Sequence, residues 1–564
     1  MSFYDERPWV KSYAPDALKH VDPPTVGFID HWDDFIARSA SCPALRYLGT
    51  TLSHKQLYDH ADRMTKTLKD LGLKKGDVVG VCLPNTPQYL ITVLGALKGG
   101  FAVTGVSPLL TPDEMTYQLN DSGAKVFVIL DLLFEKSLAG VANQVPGLQT
   151  VITTTLLDLL PGWKQVLARA LKKVPSGRIT PLAGKKMMTF KTVLSQKAGV
   201  TPKTSVSLDD ACFVQYTGGT TGPPKGAVLT HANLAANVTQ LRAVYSFEMG
   251  QDAFCSGLPM FHIAGLVLSL LGPYFGMDQV IVPDPRNTKY IMDQVLKYRP
   301  NLFVNVPTLY LMLMAEPRFK DLDWSFARIF FYGAAPFTED GIQSLERIVG
   351  RDKVRALYGM TETCPGIAHD HPGVPRRAGS VGLPMPGIKL RLVDAVTGVG
   401  DVPQGQEGEI VIRGPQVMKG YHNKPDENAR VFVEIDGEKW MRTGDIGRMD
   451  EDGFLYIVDR SKDMIIVSGY KVFSTELEDK LSEHPAIEMC AVVGAPNPER
   501  PETEMVKLVV QKSAAYADKP EDQVRADILA FAKKKLAAYK VPKVIEFRPM
   551  PLTAVGKIDK KRLR

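Results

Sequence analysis

The sequence YTGGTTGPPKG occupies residues 216–226, between an apolar run at 211–214 and a helix-like segment that begins near Thr230. Glycine lets a backbone turn tightly and bring its N–H groups against phosphate oxygens. Threonine hydroxyls add hydrogen-bond donors, and lysine adds a point charge. The stretch therefore predicts a phosphate-binding loop, with candidate contacts at Thr217, Gly218, Gly219, Thr220, Thr221 and Lys225.

This loop is not a Walker A motif, because no G-K-[ST] sequence closes it. The plain alternative is a flexible Gly/Thr loop on the surface. The density of phosphate-binding groups at 216–226 argues against that alternative.

Length and composition set the class of protein. The chain has 564 residues, more than a single hydrophobic core ordinarily serves, so more than one domain is expected. Hydrophobic residues make up 45% and charged residues 23%, as in ordinary globular proteins. The net charge of +6 suits anionic small ligands or a membrane surface and does not argue for nucleic acid. The cysteines form no C-x-x-C pair, so neither a zinc ribbon nor a thioredoxin-type site is indicated.

Apolar strand-like runs alternate with helical patterns through the first two thirds of the chain. Candidate strands lie at 77–83, 124–130, 279–282, 302–306 and 328–332. Because they are nearly all apolar, they predict parallel sheets with both faces covered by helices.

The last third has a different pattern. From about 379 to 459, short strand-like runs separated by turn dipeptides predict a small antiparallel or β-barrel-like subdomain. From 464 onward, strands and helices form a compact α+β unit. We therefore predict an α/β fold with a large N-terminal domain over 1–459, a hinge at 460–463 and a small, mobile C-terminal domain over 464–564.

Two helix starts can be placed from local pattern alone. Thr111 is followed by a proline and two acidic residues, which indicates an N-cap, an N1 proline and an acidic first turn. Thr475 and Glu478 have the spacing of a capping box.

Further motifs follow the loop along the chain. They are LPMFH at 258–262, YGAAP at 332–336, LYGMTE at 357–362, TGD at 443–445, DRSKD at 459–463, SGYKV at 468–472 and PLTAVGKI at 551–558. Taken alone, His262 is more often a core histidine, the TGD triplet a turn and 459–463 a solvated charge run. In this order, together with the loop at 216–226, the motifs resemble the acyl-adenylate-forming superfamily. That superfamily includes acyl-CoA synthetases, adenylation domains of peptide synthetases and luciferases, and the resemblance covers nearly the whole chain.

The resemblance implies binding of ATP, Mg²⁺ and coenzyme A. Contacts with the nucleotide are implied, beyond the loop, for Gly333, Ala334, Ala335, Tyr358, Gly359, Met360, Asp445 and Arg460. Within this set the aromatic ring packs on adenine, the small residues lie against adenine and the acyl group, and the carboxylate binds the ribose hydroxyls.

Catalytic roles are implied for four residues. Thr361 bonds the α-phosphate, and Glu362 holds Mg²⁺ together with Thr221, in agreement with the preference of Mg²⁺ for one or two carboxylates plus phosphate oxygens. His262 borders the acyl pocket. Lys557 bridges the acyl carboxylate and the α-phosphate.

The C-terminal motifs are implied to serve a second reaction step. Lys462 matches the hinge on which the small domain rotates, and Gly469, Tyr470 and Lys471 line a tunnel for the pantetheine of coenzyme A. The common family pattern continues with asparagine and an aromatic-proline pair, where Lys471 and 473–474 (Phe-Ser) stand here. The individual contacts with coenzyme A therefore stay open.

The implied activity is that of an ATP-dependent acyl-CoA ligase, which makes an acyl-adenylate and releases AMP and pyrophosphate. The segments at 107–112, 118–123, 415–418 and 539–543 are most similar to bacterial long-chain fatty acyl-CoA ligases, so a medium- or long-chain fatty acid is the expected substrate. Aryl acids of the coumarate type are the alternative. An adenylating enzyme with another acceptor and a non-catalytic nucleotide-binding protein are the competing classes.

A cytoplasmic location is expected. The N-terminus lacks the features of a signal peptide, and the most apolar stretch, 261–277, is shorter than the roughly 20 residues of a membrane span. An apolar stripe with helical spacing is formed by Trp163, Val166, Leu167, Ala170, Leu171 and Val174. The bases mostly off that stripe are Lys164, Arg169, Lys172 and Lys173. Such a helix can lie on the inner face of an anionic membrane, or the stripe can pack on the core of the protein. The oligomeric state is not predicted.

Overall fold

In the computed structural model the sheets predicted from sequence are present, with helices on their faces. The structure describes residues 2–170, 175–197, 199, 201–217, 223–460, 463, 465–467, 470–498, 503–553 and 558–564. The α-helices of this part of the chain are Phe28–Ser39, His54–Asp70, Pro87–Lys98, Pro112–Asp121, Asp131–Leu133, Gly162–Ala170, Phe190–Leu194, His231–Val244, Ile263–Phe275, Thr288–Tyr298, Pro307–Ala315, Pro317–Asp321, Glu339–Val349, Pro425–Val431, Ser474–Ser482 and Glu521–Lys535.

The first sheet carries the predicted phosphate-loop strand. Its strands lie in the spatial order Gly420–Tyr421, Lys225–Thr230, Ala211–Thr217, Ala102–Gly105, Val78–Cys82, Ala124–Leu130, Thr150–Thr154 and Lys186–Thr189. Pairing is parallel from the third of these strands to the last and antiparallel at the other edge.

The second sheet has the same construction. Its strands lie in the order Leu383–Pro384, Gly366–His369, Val354–Gly359, Ile329–Gly333, Leu302–Asn305, Ala253–Ser256, Asp278–Ile281, Pro43–Tyr47 and Thr50–Ser53. The middle strands are parallel and both edges are antiparallel. The prediction of parallel sheets is therefore confirmed. The nearly all-apolar runs indicated such sheets because a strand buried on both faces must be apolar throughout.

The two sheets share one hydrophobic core. It joins strand residues such as Val79 and Phe213 of the first sheet to Phe254 and Phe331 of the second. The helix Pro87–Lys98 contributes to this core and is buried along its whole length. No helix in the described residues is long and apolar enough to cross a bilayer.

The smaller units follow in the order that the sequence predicts. An antiparallel sheet is formed by Lys389–Val393, Gly408–Arg413, Glu438–Met449, Phe432–Ile435 and Leu455–Arg460, and its described strands form an open sheet, not a closed barrel. After it come the hairpin strands Ile465–Val467 and Tyr470–Val472 and a sheet of Ile487–Pro496, Glu504–Lys512 and Val544–Phe547. This last α+β unit has a hydrophobic core of its own, which includes Leu477, Val492 and Ile528.

One predicted helix start is confirmed and the other is wrong. Thr111 caps the helix Pro112–Asp121 and forms a reciprocal capping box with Glu114. The later helix begins at Ser474, one residue before the expected first turn, and its N-cap residue, Phe473, makes no side-chain capping bond. The Asp459 carboxylate accepts a hydrogen bond from the Ser474 amide instead. Glu478 instead turns inward to Lys560, at 2.7 Å.

Candidate active site

The ends of the predicted phosphate loop are held together by strand pairing. The strand Ala211–Thr217 pairs antiparallel with Lys225–Thr230, so Thr217 lies opposite Lys225. The Thr217 hydroxyl donates to the Lys225 carbonyl oxygen at 3.4 Å. The two strands on either side of the loop thus form an antiparallel pair. The sequence analysis did not anticipate the second strand, Lys225–Thr230, which precedes the expected helix His231–Val244.

Lys225 is held by an anion and by an aromatic ring. Its Nζ lies 2.8 Å from Glu427 Oε2 and 4.7 Å from the centroid of the Tyr421 ring. The hydrogen bond from Lys225 lowers the pKa of the Glu427 carboxyl below its ordinary value. The predicted phosphate-binding cation is therefore already paired with a carboxylate.

Glu362 lies in a short 3₁₀ turn, Thr361–Thr363, directly after the strand Val354–Gly359. Both Thr361 and Glu362 are buried. The Tyr421 hydroxyl donates to Glu362 Oε1 at 2.6 Å. Burial, together with the nearby Glu362 carboxylate, raises the pKa of the Tyr421 phenol well above its ordinary value. Tyr421 thus joins the predicted magnesium ligand to Lys225.

A second cluster joins three motifs that are far apart in the sequence. The Tyr358 hydroxyl donates to Asp445 Oδ2 at 2.7 Å, and Arg460 Nε lies 3.1 Å from Asp445 Oδ1. Asp445 and Arg460 are register partners on adjacent antiparallel strands. Burial and the Asp445 charge raise the pKa of Tyr358, while Asp445 raises the pKa of Arg460.

The small residues predicted beside adenine lie where backbones approach closely. A Cβ on Gly333 would lie 2.7 Å from the Leu357 carbonyl oxygen, and one on Gly359 would lie 1.9 Å from that of Pro365. Ala334 has φ +65°, in the left-handed region, and Ala335 follows it. These turns follow neighbouring parallel strands, Ile329–Gly333 and Val354–Gly359, at their carboxyl ends.

Met360 and His262 occupy turns that are fixed by local hydrogen bonds. The Met360 amide donates to the Pro365 carbonyl oxygen at 2.9 Å. His262 is the N-cap of Ile263–Phe275, and its Nδ1 accepts from the Ala264 amide at 3.4 Å.

Two polar residues that the sequence analysis missed bind the His262 segment, Gln215 from the phosphate-loop strand and Asn85 from the loop after the strand Val78–Cys82. Gln215 Nε2 donates to the Phe261 carbonyl oxygen at 2.5 Å. Asn85 donates to the Leu258 carbonyl oxygen at 3.0 Å and accepts from the Met260 amide at 2.8 Å. A polar side chain inside an apolar strand run, as at Gln215, is the signal that could have revealed this contact.

Asp121 braces the base of the loop and was also missed. It accepts from the Tyr216 hydroxyl at 2.6 Å and pairs with Lys424 at 3.1 Å. Tyr117, four residues earlier on the same helix, donates to the Pro224 carbonyl oxygen at 3.1 Å. Tyr421, Glu427 and Lys424 lie close together in sequence, but nothing local indicates that they reach this site.

Several predicted residues lie outside the described part of the chain. They are Gly218, Gly219, Thr220, Thr221, Lys462, Gly469 and Lys557, while Tyr470 and Lys471 are described by their backbone alone. Among the described residues, no group of three or more His, Cys, Asp and Glu side chains could hold a metal ion.

Comparison with known families decides the class of this protein. The family model of AMP-binding enzymes matches residues 32–422, and the model of the AMP-binding enzyme C-terminal domain matches residues 476–557. The chain belongs to the AMP-binding enzyme family. The resemblance inferred from the motifs is thereby confirmed.

Relatives within the family cover almost the whole chain. A long-chain-fatty-acid–CoA ligase of Bacillus subtilis is 36% identical over 99% of this chain and 98% of its own length. One of Escherichia coli O157:H7 is 34% identical over 99% and 97%. A feruloyl-CoA synthase of an Amycolatopsis species is 32% identical over 93% of this chain and 96% of its own.

Solved structures show the same architecture. ATP-bound MatB from Rhodopseudomonas palustris superposes with a TM-score of 0.82 at 27% identity, covering 95% of this chain and 98% of that one. A fatty acyl CoA synthetase of Mycobacterium tuberculosis gives a TM-score of 0.68 at 26% identity, over 96% and 98%.

Proposed function

We propose that this AMP-binding enzyme is an ATP-dependent long-chain fatty acid–CoA ligase. It converts a fatty acid to its acyl-adenylate, with release of pyrophosphate, and then to acyl-CoA, with release of AMP. The observation that carries the proposal is the pairing of two clusters, Lys225–Tyr421–Glu362 and Tyr358–Asp445–Arg460. The first suits the phosphates of ATP and the second suits its nucleoside. Relatives at 34–36% identity over the whole chain carry the same activity in their names.

In the first step a carboxylate oxygen of the acid attacks the α-phosphorus of ATP. A phosphorus–oxygen bond forms, the bond to pyrophosphate breaks, and the mixed anhydride is left with AMP as its later leaving group. Two anions must meet in this step, so the site must supply positive charge and hydrogen-bond donors in place. Lys225 and Lys557 supply the charge, Thr361 bonds the α-phosphate, and the backbone of 217–221 with its threonine hydroxyls binds the phosphates.

Mg²⁺ belongs to the proposal through Glu362. A buried carboxylate with one oxygen fixed by Tyr421, close to a phosphate-binding loop, fits a cation that takes one or two carboxylates plus phosphate oxygens. Glu362 would hold the ion together with Thr221, and the bound ion would neutralise charge on the phosphates. The role of Tyr421 is to fix the orientation of the Glu362 carboxylate.

The nucleoside half is assigned to the second cluster. The buried Asp445 carboxylate accepts the ribose hydroxyls, and Arg460 beside it contacts ribose or phosphate. The Tyr358 ring packs on adenine, with its hydroxyl anchored on Asp445. The turns at Gly333–Ala335 and Gly359–Met360 are assigned to adenine and the acyl group.

In the second step the coenzyme A thiol attacks the acyl carbon. The sulfur–carbon bond forms, the carbon–oxygen bond to AMP breaks, and the thiol proton is released. The thiol must reach the place that Lys557 occupies in the first step, so one arrangement cannot serve both. We assign the exchange to rotation of the 464–564 domain on a hinge at Lys462, which brings Gly469, Tyr470 and Lys471 to the pantetheine.

The expected acid is a medium- or long-chain fatty acid, and His262 with the apolar helix Ile263–Phe275 after it borders the acyl pocket. The specific rival is an aryl acid, because a feruloyl-CoA synthase is also 32% identical. We further propose a cytoplasmic location with peripheral contact to the inner face of a membrane.

A panel of acids of varied length and ring content tests the proposal. Pyrophosphate release and thioester formation are scored with and without coenzyme A. Activity should be highest on saturated acids of medium to long chain, and thioester formation should require coenzyme A. Benzoate or coumarate outperforming every fatty acid would reject the substrate class, and turnover without coenzyme A would reject the acceptor.

A further inference from the structure

Positive charge is concentrated in one stretch of this chain. Residues 159–208 contain ten lysines or arginines and no aspartate or glutamate. Since the net charge of the whole chain is +6, the remainder is net negative. The stretch includes the helix Gly162–Ala170 and the strand Lys186–Thr189, which is the edge of the first sheet. A local excess of one sign attracts a surface of the opposite sign far more than the same charge spread evenly.

Few of these bases are neutralised within the protein. Of the described bases in 159–208, Lys203 alone has carboxylate partners, at 2.6 and 3.0 Å. Lys164 donates to a backbone carbonyl oxygen at 2.7 Å, and Lys191 donates to the amide oxygen of Gln165 at 2.9 Å. These contacts leave the positive charge uncompensated and place Lys191 beside the helix. Besides the paired Lys203, the exposed bases among the described residues of this stretch are Arg178, Lys186, Lys191 and Lys197.

The apolar stripe of the same helix faces solvent. Trp163 is 67% exposed, Val166 68% and Leu167 50%, and Ala170 is also exposed. The alternative that this stripe packs on the core of the protein is therefore wrong for these four residues. The other residues of the predicted stripe and its bases, at 171–174, and the side chain of Arg169 lie outside the described residues.

We propose that a basic face, made of the helix Gly162–Ala170 and the described bases Lys186, Lys191 and Lys197, docks on an anionic lipid bilayer. The inference rests on the proposed function in one respect, since a long-chain acid is a substrate that resides in membranes. Charge complementarity favours a phospholipid surface, and Trp163 with two aliphatic neighbours suits the boundary between headgroups and acyl chains. The bases hold the helix at the surface while the stripe enters the boundary.

Binding of the full chain to vesicles tests the proposal. Co-sedimentation is measured with phosphatidylcholine vesicles, with and without phosphatidylglycerol, for the wild type and two variants. One is Trp163→Ser with Val166→Ser and Leu167→Ser. The other is the set Lys164→Gln, Lys186→Gln, Lys191→Gln and Lys197→Gln. A base near an anionic surface changes the partition coefficient about fivefold, so the four-lysine variant should bind roughly 600-fold more weakly.

Matched changes elsewhere serve as controls. The first control changes four exposed lysines elsewhere, as Lys289→Gln, Lys320→Gln, Lys533→Gln and Lys534→Gln, and removes the same charge. The second control, Leu311→Ser with Met312→Ser and Val396→Ser, removes apolar surface of similar exposure. Both controls should bind anionic vesicles like the wild type. Equal binding to neutral and anionic vesicles, or equal losses in test and control variants, would overturn the proposal. The proposal would also be overturned if the wild type did not bind vesicles but bound RNA or dimerised through this face.

Catalysis is scored separately, so that failure of the two proposals can be told apart. With a short acid dissolved in water, every variant should turn over at the wild-type rate. With a long-chain acid supplied in anionic vesicles, the test variants should be slower and the controls should not. Absence of wild-type turnover with both the dissolved acid and the long-chain acid would instead count against the proposed function.

Discussion

The two ends of the proposed nucleotide site, the ribose end and the phosphate end, differ in how they are prepared for a ligand. At the ribose end, Asp445 is buried, bonded to Tyr358 and paired with Arg460 across adjacent strands. At the phosphate end, Lys225 is paired with Glu427, whose side chain is 34% exposed. If both clusters bind the nucleotide as proposed, we expect the first to keep its contacts and the second to exchange a carboxylate for a phosphate.

This difference teaches that pre-organisation is uneven within one site. A contact that is already in place on the ribose side adds little to the entropy cost of binding. A lysine held by a glutamate offers its charge only to a ligand that outcompetes that glutamate. We expect substitutions at the ribose end to weaken binding of ATP and substitution of Glu427 to strengthen it.

The largest effect is expected for Glu362→Gln, because it removes the charge at the centre of the phosphate end. Loss of one pre-organised group from such a site typically lowers the rate about 10²–10³-fold. Pyrophosphate release from acid and ATP measures this step. Conversion of supplied acyl-adenylate and coenzyme A to thioester should be far less affected, and an equal fall in both reactions by a folded variant would contradict the assignment.

At the ribose end, Asp445→Ala should raise the KM for ATP about 10–100-fold, the range for a hydrogen bond to a charged group. The side chain of Arg460 is 44% exposed and can be rehydrated, so stability should fall by less than the about 3–5 kcal/mol of a broken buried pair. ATP titrations and melting curves test both statements. Tyr358→Phe is the control, since it keeps the carboxylate and should cost no more than about tenfold.

The substitution Tyr421→Phe tests whether Tyr421 links Lys225 to Glu362 at the phosphate end. The ring stays beside Lys225 while Glu362 loses the hydroxyl that orients it, so adenylation should slow about tenfold. The same substitution at Tyr290, whose hydroxyl donates to a backbone carbonyl oxygen away from the site, is the control. Equal rates for the two variants would mean that Tyr421 does not position Glu362.

The smallest effect, and the one of opposite sign, is expected for Glu427→Gln. Releasing Lys225 should lower the KM for ATP about two- to fivefold, since partly exposed ion pairs contribute about 0.2–1 kcal/mol. Glu434→Gln, an exposed change on the neighbouring strand, should leave the KM unchanged. A raised KM in Glu427→Gln would show that this glutamate helps ATP to bind.

The lowered pKa of Glu427 determines how the difference in KM for ATP between the wild type and Glu427→Gln depends on pH. A carboxyl whose pKa is lowered in the folded state stays ionised until the pH falls below its ordinary range. The pair with Lys225 is therefore present at neutral pH and is lost only under acidic conditions. The ratio of KM values between wild type and Glu427→Gln should be constant from neutral pH down to about pH 5.

Local patterns predicted the fold where their partners are also local. At Thr111, the cap and Glu114 lie within one exposed turn, so the capping box forms as the sequence indicates. At Thr475 the same spacing fails, because Glu478 is half-buried and binds Lys560 and the Val492 amide instead. A pattern of four residues cannot reveal a partner that is more than ten positions away.

The sequence by itself determined the alternation of apolar strands and helices, the parallel sheets and the order of the motifs, since each depends on periodicity or on residues within one short segment. Through the resemblance it also predicted that Tyr358, Asp445 and Arg460 belong to one site, and the structure brings these three side chains together. Only the tertiary structure decided that Tyr421 lies between Lys225 and Glu362 and that Glu427 forms an ion pair with Lys225. It also decided that Trp163, Val166 and Leu167 face solvent. These contacts depend on which elements pack side by side, and an amphipathic stripe has the same sequence whether it faces a core or a membrane.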